Sequence, residues 1–133
     1  MLKSSTMNET KIRKYQSSDM PFLCDFELWR NGVGACVKEL TASERVICLV
    51  AEYDGLPIGF ICGENTLSYG NILIAAEVAE DFRKQGVFTK LLSEYKKYAR
   101  GNITVFHNYD LTGFYQKCGF CTGANLCVSM YEK

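Results

Sequence analysis

The stretch from residue 70 to residue 107 constrains the fold most, because the spacing of its apolar residues changes twice. Residues 70–78 alternate apolar with other side chains, which predicts a strand. Its predicted apolar face consists of Ile72, Ile74, Ala76 and Val78. Residues 87–99 repeat apolar side chains at helical spacing, and Gly101 ends that helix. Residues 102–107 again read as a strand. This order predicts a βαβ unit with two parallel strands and a right-handed crossover.

The flanking segments extend this unit into a larger sheet. Strands are predicted over 11–16, 45–53, 58–63 and 124–131. Asp54-Gly55 predicts a hairpin turn between two of them. Helices are predicted after Ser17-Ser18-Asp19, over 34–40 and over 111–117. The expected fold class is α/β, a single domain with a mixed sheet of about six strands flanked by about four helices. Residues 1–10 are expected to form a disordered tail before a domain over 11–133.

Composition narrows the functional classes. The chain has 133 residues, with 15 Lys+Arg against 15 Asp+Glu, so it lacks the basic excess of a nucleic-acid binder. No apolar run reaches membrane-spanning length, and the polar N-terminus does not resemble a signal peptide. We therefore expect a cytoplasmic protein without a membrane or nucleic-acid partner. The seven cysteines lie mostly in apolar runs, where a free thiol behaves as a small hydrophobe.

The segment Arg83-Lys84-Gln85-Gly86 lies between the strand over 70–78 and the helix over 87–99. A helix N-terminus presents unpaired backbone N–H groups and the positive end of its dipole, which together attract phosphate. Gly86 lacks the Cβ that would obstruct a close approach. Arg83 and Lys84 add positive charge, and Thr89 adds a hydroxyl. A glycine at this place is also common in α/β proteins that bind no phosphate.

Two longer patterns surround this segment. The first is Val78-x-x-x-x-Arg83-x-x-Gly86 followed by Leu91-Leu92. The second is Asn108-x-x-Leu111-x-x-Phe114-Tyr115-x-Lys117-x-Gly119-Phe120. They resemble motifs A and B of the GNAT acetyltransferase superfamily, in the family's order and joined by a βαβ unit of the right length. The sequence departs from the family pattern at Glu80, Phe88 and Leu111. At Phe88 the side chain is expected to point into the core.

The resemblance implies an N-acetyltransferase that moves an acetyl group directly from acetyl-CoA to a primary amine. The pantetheine arm would pair with the strand over 72–78, and the Val78 N–H would polarise the thioester carbonyl. Backbone N–H groups from Lys84 to Thr89 would hold the pyrophosphate, and Asn108 would bind the arm. Tyr115 would be the general acid. The implied cofactor-binding residues are Val78, Arg83, Lys84, Gln85, Gly86, Val87, Phe88, Thr89 and Asn108.

Several alternatives stay open at this level. Glu77 is the first candidate for the general base, with Glu27 and Glu52 as others. Tyr115 is also explained as a core aromatic residue. The acceptor is expected to be a small-molecule or peptide amine, and the protein a monomer or homodimer. The main alternative function is a non-catalytic acyl-CoA-binding regulatory module of the same fold.

A metal site is not expected. Cys118 and Cys121 have metal-ligand spacing, and Cys127 and His107 would complete four ligands. A second closely spaced cysteine pair is missing from the sequence, however, and Gly119-Phe120 is explained as the turn after the Tyr115 helix.

Overall fold

The computed structural model describes residues 9–34, 45–107, 109–122 and 128–131. These residues contain one seven-stranded sheet. Its strands are β1 Lys11–Lys14, β2 Val46–Tyr53, β3 Leu56–Asn65, β4 Asn71–Val78, β5 Ile103–Phe106, β6 Cys121–Thr122 and β7 Val128–Tyr131. The α-helices are α1 Met20–Leu23, α2 Val87–Tyr98 and α3 Thr112–Lys117, and the helical segment Trp29–Val33 is kinked at Asn31 and Gly32. No helix within this described part has the length and apolar character needed to cross a membrane.

The strand order is β1-β2-β3-β4-β5-β7-β6, and only β4 and β5 run parallel. Helix α2 connects these two strands, so the predicted βαβ unit and the α/β fold class are confirmed. The sheet has one strand more than expected, because the short β6 precedes β7. Within the segment predicted as a strand over 124–131, β7 begins at Val128, and residues 124–127 lie outside the described ones.

Two further predictions fall largely outside the described residues. Only Gly34 of the helix expected over 34–40 is described. Of the tail expected over 1–10, Glu9 is exposed and Thr10 is buried, with 2% of its surface accessible. The Lys90 ammonium donates a hydrogen bond to the Thr10 carbonyl.

Each face of the sheet carries its own apolar cluster. On one face, α2 buries Val87, Leu91, Leu92 and Tyr95 against the sheet. Burying one leucine side chain stabilises a fold by about 1.5–3 kcal/mol. On the other face, Leu23, Phe26 and Trp29 pack against β2 and β3. Tyr98, in the last turn of α2, is 41% exposed.

The face alternation predicted for β4 is wrong at its centre. Cys62 pairs with Ala75 and Gly63 with Leu73, so Ile74 is an extra residue that forms a β-bulge. A bulge reverses the alternation beyond it, since two residues oppose one on the partner strand. Leu73, Ala76 and Val78 therefore pack on the α2 side, whereas Ile74 is 45% exposed.

A buried polar network joins α2 to the start of β4. The Tyr95 hydroxyl donates to Asn71 Oδ1 at 2.5 Å, and Asn71 Nδ2 donates to Asn65 Oδ1 at 2.9 Å. Asn65 Oδ1 also accepts from the Arg100 backbone N–H at 2.8 Å. A Cβ at Gly63 would lie 1.7 Å from the Tyr95 hydroxyl oxygen, so only glycine leaves room for this network.

Tyr95→Phe should lower the free energy of unfolding by about 1–3 kcal/mol, because it leaves a buried Asn71 acceptor without its donor. Urea denaturation followed by circular dichroism measures the loss. Tyr98→Phe is the matched control, since that ring is exposed, and it should change stability by less than about 0.5 kcal/mol. Equal losses in both variants would contradict a structural role for the network.

Candidate functional site

The edge of β4 that faces β5 is only partly paired. The register between them runs over Asn71↔Ile103, Ile72↔Thr104 and Leu73↔Val105, whereas β4 continues to Val78. The Ala79 N–H donates to the Ile58 carbonyl of β3 at 2.7 Å. Antiparallel pairs alternate, so the backbone groups of Val78 and Ala76 point away from β3. In the described part of the chain, this edge is open to an extended ligand.

The loop after β4 leads into the N-terminus of α2. Its backbone takes left-handed conformations at Lys84, with φ 62°, and at Gly86, with φ 83°. Gly86 is the N-cap residue of α2, and its carbonyl accepts the Lys90 N–H at 3.0 Å. The N–H groups of the first turn have no partner within the helix itself. This arrangement directs several N–H groups and the positive end of the helix dipole to one place.

A cavity of about 230 Å³ lies at this helix start. Its lining residues are Val78, Phe82, Arg83, Lys84, Gly86, Val87, Phe88, Thr89 and Phe114. The structure therefore brings together seven of the residues that the sequence marked for cofactor binding. Gln85 is not among the lining residues, and its Nε2 instead donates to the Asp81 carbonyl at 3.0 Å, which braces the loop. Asn108 lies outside the described residues.

Sequence reasoning missed the aromatic walls of this cavity, Phe82 and Phe114. Phe88 is half-buried: it packs against the core, lines the cavity and contacts Phe114, with ring centroids 5.1 Å apart. The signal for Phe114 was its position beside Tyr115 in the second motif. Phe82 carried no recognisable signal, because a single aromatic residue between two elements has many explanations.

Tyr115 lies behind Phe114 rather than on the cavity wall, with ring centroids 5.2 Å apart. Its ring also stacks on His107 at 4.9 Å and meets Phe120 edge-on at 5.5 Å. Burial raises the pKa of the Tyr115 phenol, and the nearby Cys118 thiol acts in the same direction. The phenol is therefore protonated at neutral pH, as a proton donor must be. Its packing against the core also agrees with the alternative of a core aromatic residue.

Glu77 is held from two sides. Its Oε1 accepts the Leu28 backbone N–H at 3.0 Å, and its Oε2 lies 3.8 Å from Arg83 Nη2. The side chain is 16% exposed. Among the other candidates for a base, Glu52 binds Arg13 at 2.7 Å near the β1 edge of the sheet, and Glu27 is exposed.

The sequence from residue 10 to residue 120 matches the model of the acetyltransferase (GNAT) family, which is more than half of the chain. The chain belongs to the GNAT acetyltransferase family. The resemblance seen in its two motifs is thereby confirmed, as is its classification as an acyltransferase. Among curated protein sequences, none matches this GNAT acetyltransferase at a significant level.

Solved structures show the same fold. The PaiA N-acetyltransferase from Thermoplasma acidophilum, in complex with coenzyme A, superposes with a TM-score of 0.73 at 16% identity, covering 93% of this chain and 99% of that one. The GNAT family N-acetyltransferase YhbS from Escherichia coli, in complex with CoA, gives 0.71 at 18% identity, covering 93% and 81%. A GNAT family acetyltransferase from Brucella melitensis, in complex with acetyl-CoA, gives 0.68 at 19%, covering 92% and 87%.

The raised pKa of Tyr115 predicts that its phenol ionises above the ordinary value of 10.0. The stability that the buried neutral phenol contributes should be complete at neutral pH. It should decrease as the pH rises past the ordinary value towards the folded one. A difference ultraviolet titration of the wild type against Tyr115→Phe isolates this group. In concentrated urea the pKa of the Tyr115 phenol should return to its ordinary value. A pKa below the ordinary value in the native protein would contradict the described burial.

Proposed function

We propose that this GNAT acetyltransferase transfers an acetyl group from acetyl-CoA to a primary amine by direct attack on the thioester. The observation that carries the proposal is the open edge of β4. This edge begins where β4 stops pairing with β5, and it ends at the cavity at the N-terminus of α2. An extended arm fits the edge, and an anionic group fits the cavity. Acetyl-CoA has both in one molecule.

The pyrophosphate of the cofactor is assigned to the cavity. Backbone N–H groups from Lys84 to Thr89 supply hydrogen-bond donors, and the dipole of α2 favours a negative charge there. Arg83 and Lys84 add positive charge to the rim. Bound CoA or acetyl-CoA in the three solved relatives supports this ligand class for the shared fold.

The pantetheine arm is assigned to the open edge of β4, with Asn108 as a further partner. The thioester carbonyl is assigned to the Val78 N–H as an oxyanion donor. The Ala76 N–H points to the same edge. It lies two residues before Val78, which is about 7 Å along the strand. It is the alternative donor, because Val78 itself lines the cavity given to the pyrophosphate.

The reaction removes one proton from the amine nitrogen and supplies one proton to the leaving thiolate. The amine nitrogen attacks the thioester carbonyl, a C–N bond forms, and the C–S bond breaks to release a thiolate. Glu77 is assigned to accept the proton that the amine nitrogen gives up as the amide forms, since its carboxylate lies near the end of β4 and the side chain is only 16% exposed. Tyr115 is assigned to protonate the leaving thiolate. Such proton transfers each contribute typically ~10²–10⁴-fold to the rate.

The acceptor is proposed to be a small-molecule or peptide amine. It reaches Glu77 from the face of the sheet that carries α1 and Leu28. The cytoplasmic location and the monomeric or dimeric state expected from the sequence stay predictions.

A panel of primary amines with acetyl-CoA, followed by the release of free thiol, tests this function. Thiol release that depends on one class of amine supports it. CoA binding in calorimetry without thiol release for any amine would favour the non-catalytic acyl-CoA-binding module. No CoA binding at all would contradict both functions.

Gly86→Glu should weaken CoA binding by roughly 10-fold or more, because a carboxylate then stands beside the pyrophosphate and a side chain occupies a left-handed position. Isothermal calorimetry with CoA measures the change. Ser93→Glu adds the same charge at an exposed position further along α2 and should change the affinity by less than about twofold. Equal affinities for both variants would place the pyrophosphate elsewhere.

Tyr115→Phe should lower kcat by roughly 10–10³-fold and leave the affinity for CoA nearly unchanged, since the phenol is assigned to proton transfer and not to binding. Steady-state thiol release with the best amine measures kcat. Tyr131→Phe is the control, because it removes a hydroxyl from another half-buried ring beside Phe120. Unchanged turnover in Tyr115→Phe would remove this residue from the mechanism.

A further inference from the structure

The guanidinium of Arg83 contacts the end of β4. Its Nε donates to the Val78 carbonyl at 2.8 Å, and its Nη2 lies 3.8 Å from Glu77 Oε2. Two donors of one guanidinium are thus directed back to the last two residues of β4. Arg83 also lines the cavity, and its side chain is 54% exposed.

The Val78 carbonyl that accepts this hydrogen bond points to the open edge of β4. It lies on the same open edge as the Val78 N–H, away from β3. A hydrogen bond to this carbonyl fixes the last peptide groups of β4 on the side where, among the described residues, β5 no longer pairs with them. Only a guanidinium offers several donors in a rigid planar arrangement, so a lysine there would reach one of the two acceptors.

Glu77 extends this arrangement to the opposite face of the sheet. Its other carboxylate oxygen, Oε1, accepts the Leu28 N–H at 3.0 Å, directly before the kinked helical segment Trp29–Val33. The contacts therefore run without interruption from Leu28 through Glu77 and Arg83 to Val78. They connect the acceptor side of the site to the cavity side.

We propose that Arg83 is a positioning residue: its guanidinium orients the Val78 peptide and the Glu77 carboxylate, and through Glu77 it fixes the backbone at Leu28. This inference rests on the proposed function, because it assigns Arg83 a role between the cofactor and the base of that site. It differs from the family resemblance, which implied that Arg83 is a cofactor ligand.

Lys84 provides a matched control. It is the next residue, lines the same cavity, carries the same charge and is exposed like Arg83. Arg83→Gln and Lys84→Gln therefore remove equal charge from the rim. A difference between the two variants reports the contacts with β4, whereas a shared effect reports the charge.

The experiment compares three measurements on the wild type, Arg83→Gln and Lys84→Gln. Both variants should weaken CoA binding by a similar factor of roughly two to five, which is the loss of one exposed charge. Only Arg83→Gln should speed hydrogen exchange of the Leu28 amide, by roughly 2- to 10-fold in nuclear magnetic resonance. Arg83→Gln should lower kcat by roughly 10- to 100-fold more than Lys84→Gln does, because only in Arg83→Gln do the reacting groups lose their alignment.

Arg83→Lys should recover part of the kcat and part of the Leu28 protection, since it restores one of the two contacts. Thermal unfolding of every variant separates these effects from a loss of folding, and Arg83→Lys is the variant used if Arg83→Gln does not fold. A loss of CoA affinity in Arg83→Gln far beyond that in Lys84→Gln, with unchanged Leu28 exchange, would make Arg83 a phosphate ligand and overturn the inference. A wild type that binds no CoA would instead contradict the proposed function itself.

Discussion

The candidate site of this structure depends on the backbone N–H and C=O groups at the end of β4, which have no partner strand on the β5 side in the described residues. Beyond Leu73, β4 separates from β5, and the peptide groups of Ala76 and Val78 face the gap between them. A strand edge without a neighbouring strand is a template for another extended chain, so this edge favours a ligand with its own donors and acceptors. The cavity at α2 begins where the strand ends, so both parts of the site follow from one divergence.

The start of β4, where it still pairs with β5, is held by a buried hydrogen-bond network. Tyr95, Asn71 and Asn65 connect α2 to the start of β4 and to the end of β3 through buried hydrogen bonds. These bonds hold β4 where it still pairs with β5, and the bulge at Ile74 lies directly after that pairing. Since a bulge bends its strand, the change from paired to open occurs over one or two residues.

Much of this architecture was predictable because it depends on local patterns. Helix α2 was expected over 87–99 and is found over Val87–Tyr98, since its apolar spacing and Gly101 define both ends. The Asp54-Gly55 turn and the parallel pairing of β4 with β5 followed in the same way. The alternation along β4 could not be predicted, because the bulge arises from pairing with β3 and leaves no mark in residues 71–78. Phe82 and Phe114 were likewise missed as cavity walls, because only the tertiary packing brings them together.

The sequence by itself determined the order of the elements, the start of α2 after Gly86 and the two motifs that resemble those of the family. Those properties reside in short segments whose spacing and backbone preferences act locally. The tertiary structure alone decided which side chain each candidate site residue contacts. It turned Arg83 towards Val78 and Glu77, and it placed Tyr115 behind Phe114. Contacts between residues distant in the chain depend on the register of strands and on the packing of helices, which no single segment encodes.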